Sequence, residues 1–150
     1  MFWIIAAAVL AFMLAPILWI IPSPRQRLQA ALRDRARALG VTVQITQLPQ
    51  TRRQKVRKEE TVNGLCYAMT LPKARAGERW RYWPDGAEDD VPGPPAAVQD
   101  RIAGLRDRLP KDTIVIEASG RMVKVFWREA NADIAAVENL ADILNTLVSD

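Results

Sequence analysis

Few side chains in this chain could do chemistry, and their spacing forms none of the familiar catalytic arrangements. The 150 residues include no histidine, so the commonest general base and the imidazole metal ligand are both missing. Cys66 is the single cysteine. One thiolate cannot build a zinc site, and Cys66 sits mid-strand among apolar neighbours, the setting of a small core residue rather than a nucleophile. Glu117 and Glu129 fall on adjacent strands of a predicted hairpin and form a carboxylate pair on paper. Catalysis would need them positioned and tuned in pKa, and charges at such places more often face water. Glu88, Asp89 and Asp90 lack the repeating oxygen-ligand pattern of a calcium loop. There is no P-loop, no GxGxxG and no nucleophile elbow. The reading is a non-enzymatic protein with no catalytic residue, no metal, no cofactor and no small-molecule substrate.

Basic residues are more telling. The stretch Gln50 to Glu60, QTRRQKVRKEE, carries Arg52, Arg53, Lys55, Arg57 and Lys58 with only Val56 apolar. It reads as a solvated connection between strands; as a polyanion contact it lacks the interleaved aromatics that stack bases, which makes nucleic acid the weaker reading. ERWRYW, Glu78 to Trp83, alternates arginine with aromatics. Trp80 and Tyr82 share one face and Arg79, Arg81 and Trp83 the other, which suits a strand with one core face better than a ligand site. Charge is unevenly laid out. Residues 25–58 hold ten basic residues and one acid, net +9, whereas 59–150 are net −5.

The elements that would position these groups begin with Phe2 to Ile21, twenty residues without a charge. At ~1.5 Å per residue they predict a helix of about 30 Å, the thickness of a bilayer's hydrocarbon core. Trp3 and Trp19 lie where indoles favour headgroups. Ala7 and Ala11 offer small-residue contact to another helix. No basic n-region or small-residue cleavage site argues for a signal peptide. Arg25, Arg27, Arg33, Arg35 and Arg37 follow the span, so the positive-inside rule predicts a periplasmic N-terminus and a cytoplasmic domain. The unpaired Cys66 agrees with a reducing compartment. The expected organisation is a transmembrane anchor over 1–22, a juxtamembrane basic amphipathic helix over 23–40 and a cytoplasmic α+β domain over 41–150. Trp3, Ala7, Ala11, Trp19, Arg25, Arg27, Arg33 and Arg37 are the expected membrane or partner contacts.

Beyond the anchor, Ser23 and Pro24 start a helix whose Leu28, Ala31, Leu32, Ala36 and Leu39 share a face, and Gly40 stops it. Docking of that face onto the domain is preferred to lying on headgroups. Strands are predicted from Val41 to Thr46, Thr61 to Leu71 and Glu78 to Trp83. Pro- and Gly-rich residues 87–95 read as a loop. A helix runs from Pro95 to Arg108, and a hairpin joins Thr113–Ala118 to Met122–Arg128 at Ser119-Gly120. The last helix is capped by Asn131 or Asp133. The order α-β-β-β-α-β-β-α predicts an α+β fold whose sheet of about five strands is mainly antiparallel, with helices on one face.

An uncharged N-terminus, one apolar span, the basic segment Pro24-Arg25-Gln26-Arg27-Leu28-Gln29 and a small β-containing domain together resemble the YajC-type accessory subunit of the bacterial Sec translocon, over residues 1–48. The anchor followed by Pro22-Ser23-Pro24-Arg25 is also similar to that of other single-span proteobacterial membrane proteins. The resemblance implies an accessory or assembly subunit of an inner-membrane complex, its partners the lipid bilayer and larger membrane-protein subunits. A tethered binder of RNA, ribosomes or anionic lipid through the basic belt 25–58 is the alternative.

Overall fold

The computed structural model describes Met1–Ser149. Asp150, the end of the expected domain 41–150, lies outside the described residues, as does the side chain of Leu18 in the expected anchor. The chain divides into two compact units, residues 1–31 and 32–150.

The first unit holds helix α1, Phe2–Ile20, and the start of α2, Pro24–Ala38. Every described side chain of α1 is exposed. The helix has 19 residues, and Ile21 leaves it in an extended conformation with φ −67° and ψ 114°. At the helical rise its length is about 28 Å, against ~30 Å of hydrocarbon core. Among the described residues no helix is long and apolar enough to cross a membrane. This corrects the expected transmembrane span Phe2–Ile21 and, with it, the single-pass inner-membrane placement, the periplasmic N-terminus and the cytoplasmic domain. Helix α2 opens on a reciprocal cap: Ser23 Oγ accepts from the Gln26 amide at 3.2 Å, and Gln26 Oε1 accepts from the Ser23 amide at 2.9 Å.

The second unit is α+β, built on a five-stranded, fully antiparallel sheet. Its strands are β1 Thr42–Gln47, β2 Asn63–Thr70, β3 Arg79–Tyr82, β4 Thr113–Ser119 and β5 Met122–Trp127, in the order β1-β2-β5-β4-β3. Helix α3 is the short segment Arg52–Val56, α4 is Ala96–Leu105 and α5 is Ile134–Val148. One face of the sheet forms the main core. Tyr67, Trp80, Ile116, Val125 and Trp127 pack there against Leu32 and Ala36 of α2, Val98 and Ile102 of α4, and Leu140 and Leu144 of α5. The C-terminal half of α2 therefore docks on the sheet through two residues of the stripe read from the sequence, while Leu28 is 47% exposed. Asp133 caps α5, its Oδ1 accepting from the Ala136 amide at 2.7 Å.

Alternation along β2 and β3 is as the sequence implies: Tyr67 and Trp80 enter the main core, whereas Cys66 and Ala68 join Phe126 in a small second cluster on the opposite face. A register shift between Thr113 and Val115 breaks the alternation in β4. That extra residue turns Ile114 onto the second cluster while Ile116 stays in the main core. At the other edge β1, TVQITQ, is an outermost strand with no charge and no proline, and its Ile45 is 69% exposed.

Candidate functional site

The second face of the sheet carries a charged groove. The cross-strand register places Arg81 of β3 opposite Glu117 of β4, and Glu117 opposite Lys124 of β5. Arg81 is the hub. Its Nε donates to Glu117 Oε2 at 2.5 Å and its Nη1 to Asp89 Oδ2 at 3.0 Å. Trp83 Nε1 donates to the same Asp89 oxygen at 3.1 Å, and Lys55 Nζ stands 3.4 Å from Asp89 and 3.2 Å from Asp90. Asp89, with its side chain only 3% exposed, thus ties the segment 85–92 across the sheet. Main-chain bonds from Arg52 N to Glu88 O and from Arg81 N to Pro92 O hold the same strap at 3.0 and 2.9 Å.

The electrostatics follow from that geometry. Burial pushes the Asp89 carboxyl upward, but hydrogen bonds from Arg81 and Trp83 and the Arg81 charge outweigh it, so its pKa lies below the usual value. Burial opposes the Arg81 charge, and the two carboxylates overcome that and raise its pKa. The Cys66 thiol, fully buried behind the groove, is pushed up by burial; Lys124 pulls it down and Glu117 adds to the rise.

Beneath the strap lie two hollows that share Arg79, Arg81, Val91 and Glu117 as a common wall. The larger, about 320 Å³, also reaches Lys55, Lys124 and Phe126; the smaller is about 180 Å³. Arg79, one β step before Trp80, is exposed and has no acid partner among the described residues. Lys124 Nζ is 3.8 Å from Glu117 Oε1.

The predicted basic belt is split by the fold. Thr51 and Gln54 form a capping box that winds 52–56 into α3, where the sequence reading expected an irregular connection. Arg52, Arg53 and Arg57 line a separate open hollow of about 540 Å³ with Ala87 and Glu88. Lys55 turns to the sheet groove instead, and Lys58 lines neither, with its backbone at φ 53°. Trp3 and Trp19 are 88% and 94% exposed, and Ala7, Ala11, Arg25 and Arg27 are exposed as well. Arg33 and Arg37 are engaged within the chain, Arg33 at 3.8 Å from Glu129 and Arg37 at 3.2 Å from Asp34.

Glu117 and Glu129 are not brought together. Glu117 faces the groove, whereas Glu129 lies past the end of β5, in the left-handed region at φ 50°, and accepts from the Tyr67 hydroxyl at 2.5 Å. The carboxylate pair drawn from the sequence is thereby corrected: the turn after Trp127 carries Glu129 to the main-core side. Sequence reasoning also missed Asp89 as the clasp. The signal was a buried-type partner, an arginine alternating with tryptophan, opposite an acidic loop.

No known protein family, curated protein or solved structure matches the chain. Fold and groove define its class from within: an α+β domain with one antiparallel sheet, α2, α4 and α5 packed on one face and a strapped, cation-rich groove on the other. Helix α1 stands beside that description as a 19-residue apolar surface.

Proposed function

We propose that the protein is a non-enzymatic accessory subunit that docks on a larger, apolar protein partner through α1. One observation carries the reading: apolar side chains are exposed on every side of α1, among them Phe2 at 89%, Phe12 at 82% and Ile20 at 76%. Contiguous apolar patches beyond a few hundred Å² are rare on free proteins and mark interaction sites. Each large side chain moved out of water contributes about 1.5–3 kcal/mol before the cost of association. Only a few such contacts are needed for stable docking.

Capture of a C-terminal tag from gently lysed cells, followed by mass spectrometry, tests it. The expected result is a larger protein recovered in stoichiometric amount and lost on Ile5→Lys together with Leu10→Lys. Recovery of the chain alone, or with lipid only, overturns the reading.

A second reading is supported by the hollow lined with Arg52, Arg53 and Arg57. Three guanidinium groups on one short segment suit a polyanion such as RNA. Binding of a single-stranded RNA that weakens steeply with salt and disappears on neutralising these three arginines supports it; binding that is flat across salt excludes it.

A further inference from the structure

We propose that the groove on the second sheet face binds a small phosphate monoester, seated between Arg79 and Lys124. Most cations at the groove are already engaged by carboxylates. Arg81 is held by Glu117 and Asp89, and Lys55 by Asp89 and Asp90. Arg79 has no acid partner among the described residues, and Lys124 lies 3.8 Å from a carboxylate that Arg81 already engages at 2.5 Å. Two under-neutralised cations therefore border one hollow.

Their placement is fixed by the sheet. Arg79 pairs in register with Ser119 and Lys124 with Glu117, so the two stand on strands two apart, offset by one β repeat, on the same face. Both residues line the same hollow, on either side of the strand that carries Glu117. A carboxylate would neutralise only one of the pair. A phosphate monoester carries about −1.5 to −2 charges near neutrality and three strong acceptor oxygens, which matches two cations. Thr61 and Gln47 border the same hollow and supply further polar groups, while Leu48, Pro49 and Val91 give it an apolar wall for the ester's organic part. Its volume of about 320 Å³ lies at the small end of the usual range for ligand sites. Phe126 is only 2% exposed and offers no stacking face, so a nucleic-acid strand is disfavoured here.

The inference stands apart from docking by α1, because every residue it uses lies in the second unit. Isothermal titration of the full chain in non-ionic detergent, with ribose 5-phosphate and with ribose, tests it. Saturable binding of the phosphate ester and none of ribose is expected. Arg79→Gln and Lys124→Gln should each weaken binding by about tenfold or more, ~1.4 kcal/mol. A triple Arg52→Gln, Arg53→Gln, Arg57→Gln variant should bind as the parent does. Both groove residues are partly exposed, so their variants should melt with the parent, and amide shifts at Ser119 and Lys124 on titration provide a readout independent of heat. No saturable binding, equal binding by the two groove variants, or loss in the triple variant alone would each overturn the proposal.

Discussion

Replacing Tyr67 with phenylalanine isolates one buried hydroxyl. The ring is fully buried and meets Trp127 edge-on, with centroids 5.3 Å apart and planes at 83°. Phenylalanine keeps that contact. What it removes is the 2.5 Å bond to Glu129, whose side chain is 3% exposed and whose nearest cation, Arg33, is 3.8 Å away. A hydrogen bond to a charged group is worth about 1.5–3 kcal/mol, so Tyr67→Phe should cost ~2 kcal/mol at neutral pH. The pH dependence makes the test sharper. Burial raises the Tyr67 pKa, and the bond to Glu129 and the charge of Glu129 raise it further against a smaller opposing effect of Arg33. The unfolded tyrosine ionises near pH ~10. Above that pH the unfolded chain releases a proton that the native state retains, so this contribution to stability is complete below about 10 and declines as pH rises, by ~1.4 kcal/mol per unit. Phenylalanine has no such proton. The gap between parent and variant should therefore be ~2 kcal/mol from pH 7 to 9 and close towards zero near pH 11.5. Urea unfolding followed by tryptophan fluorescence measures it, since Trp80 and Trp127 are both buried. A variant as stable as the parent at pH 7, or a gap constant between pH 9 and 11, would refute the reasoning.

Three further outcomes are expected. Asp89→Asn should cost ~2 kcal/mol and speed hydrogen exchange across 85–92, because it removes the charged acceptor of Arg81 and Trp83. Since the folded pKa of Asp89 is lowered, its contribution is present above the unfolded value and lost as pH falls through the native one; the variant's acid unfolding curve should be correspondingly flatter. Gly64→Ala would set a methyl group 2.5 Å from Leu48 Cγ, and should destabilise by ~1–3 kcal/mol in the same urea assay, partly restored by Leu48→Ala. Cys66, buried and with its thiol pushed up in pKa, should react with an aromatic disulfide reagent only as fast as the domain unfolds, and a fast native-state reaction would contradict its placement.

Local order was legible from local pattern. Alternation separated Tyr67 from Cys66 and Trp80 from Arg81, and the stop signals around α2, α4 and α5 lay within a residue or three of the observed ends. The short α3 carries its signal in the Thr51 and Gln54 capping box, but its five residues bury no side chain and so show no apolar periodicity. Pairings between β2 and β5 and between β3 and β4 join residues far apart in the chain, and nothing local encodes them. The groove depended on the second of these: the hairpin sets Glu117 beside Lys124, but only the β3–β4 pairing brings Arg81 to them. Glu129 was misjudged because a left-handed backbone at a non-glycine residue is set by its surroundings: the Tyr67 hydroxyl draws the carboxylate inward. The span over Phe2–Ile21 rested on counting residues, and no helix among the described residues meets what crossing requires.

The uncharged outer strand has a bearing on how the protein behaves in a crowd. Unpaired amides along TVQITQ, unguarded by lysine or proline, can continue a ladder with any extended chain that arrives. Concentrated preparations should accordingly associate rim to rim, and a lysine in place of Ile45 should keep neighbours apart while leaving the interior untouched.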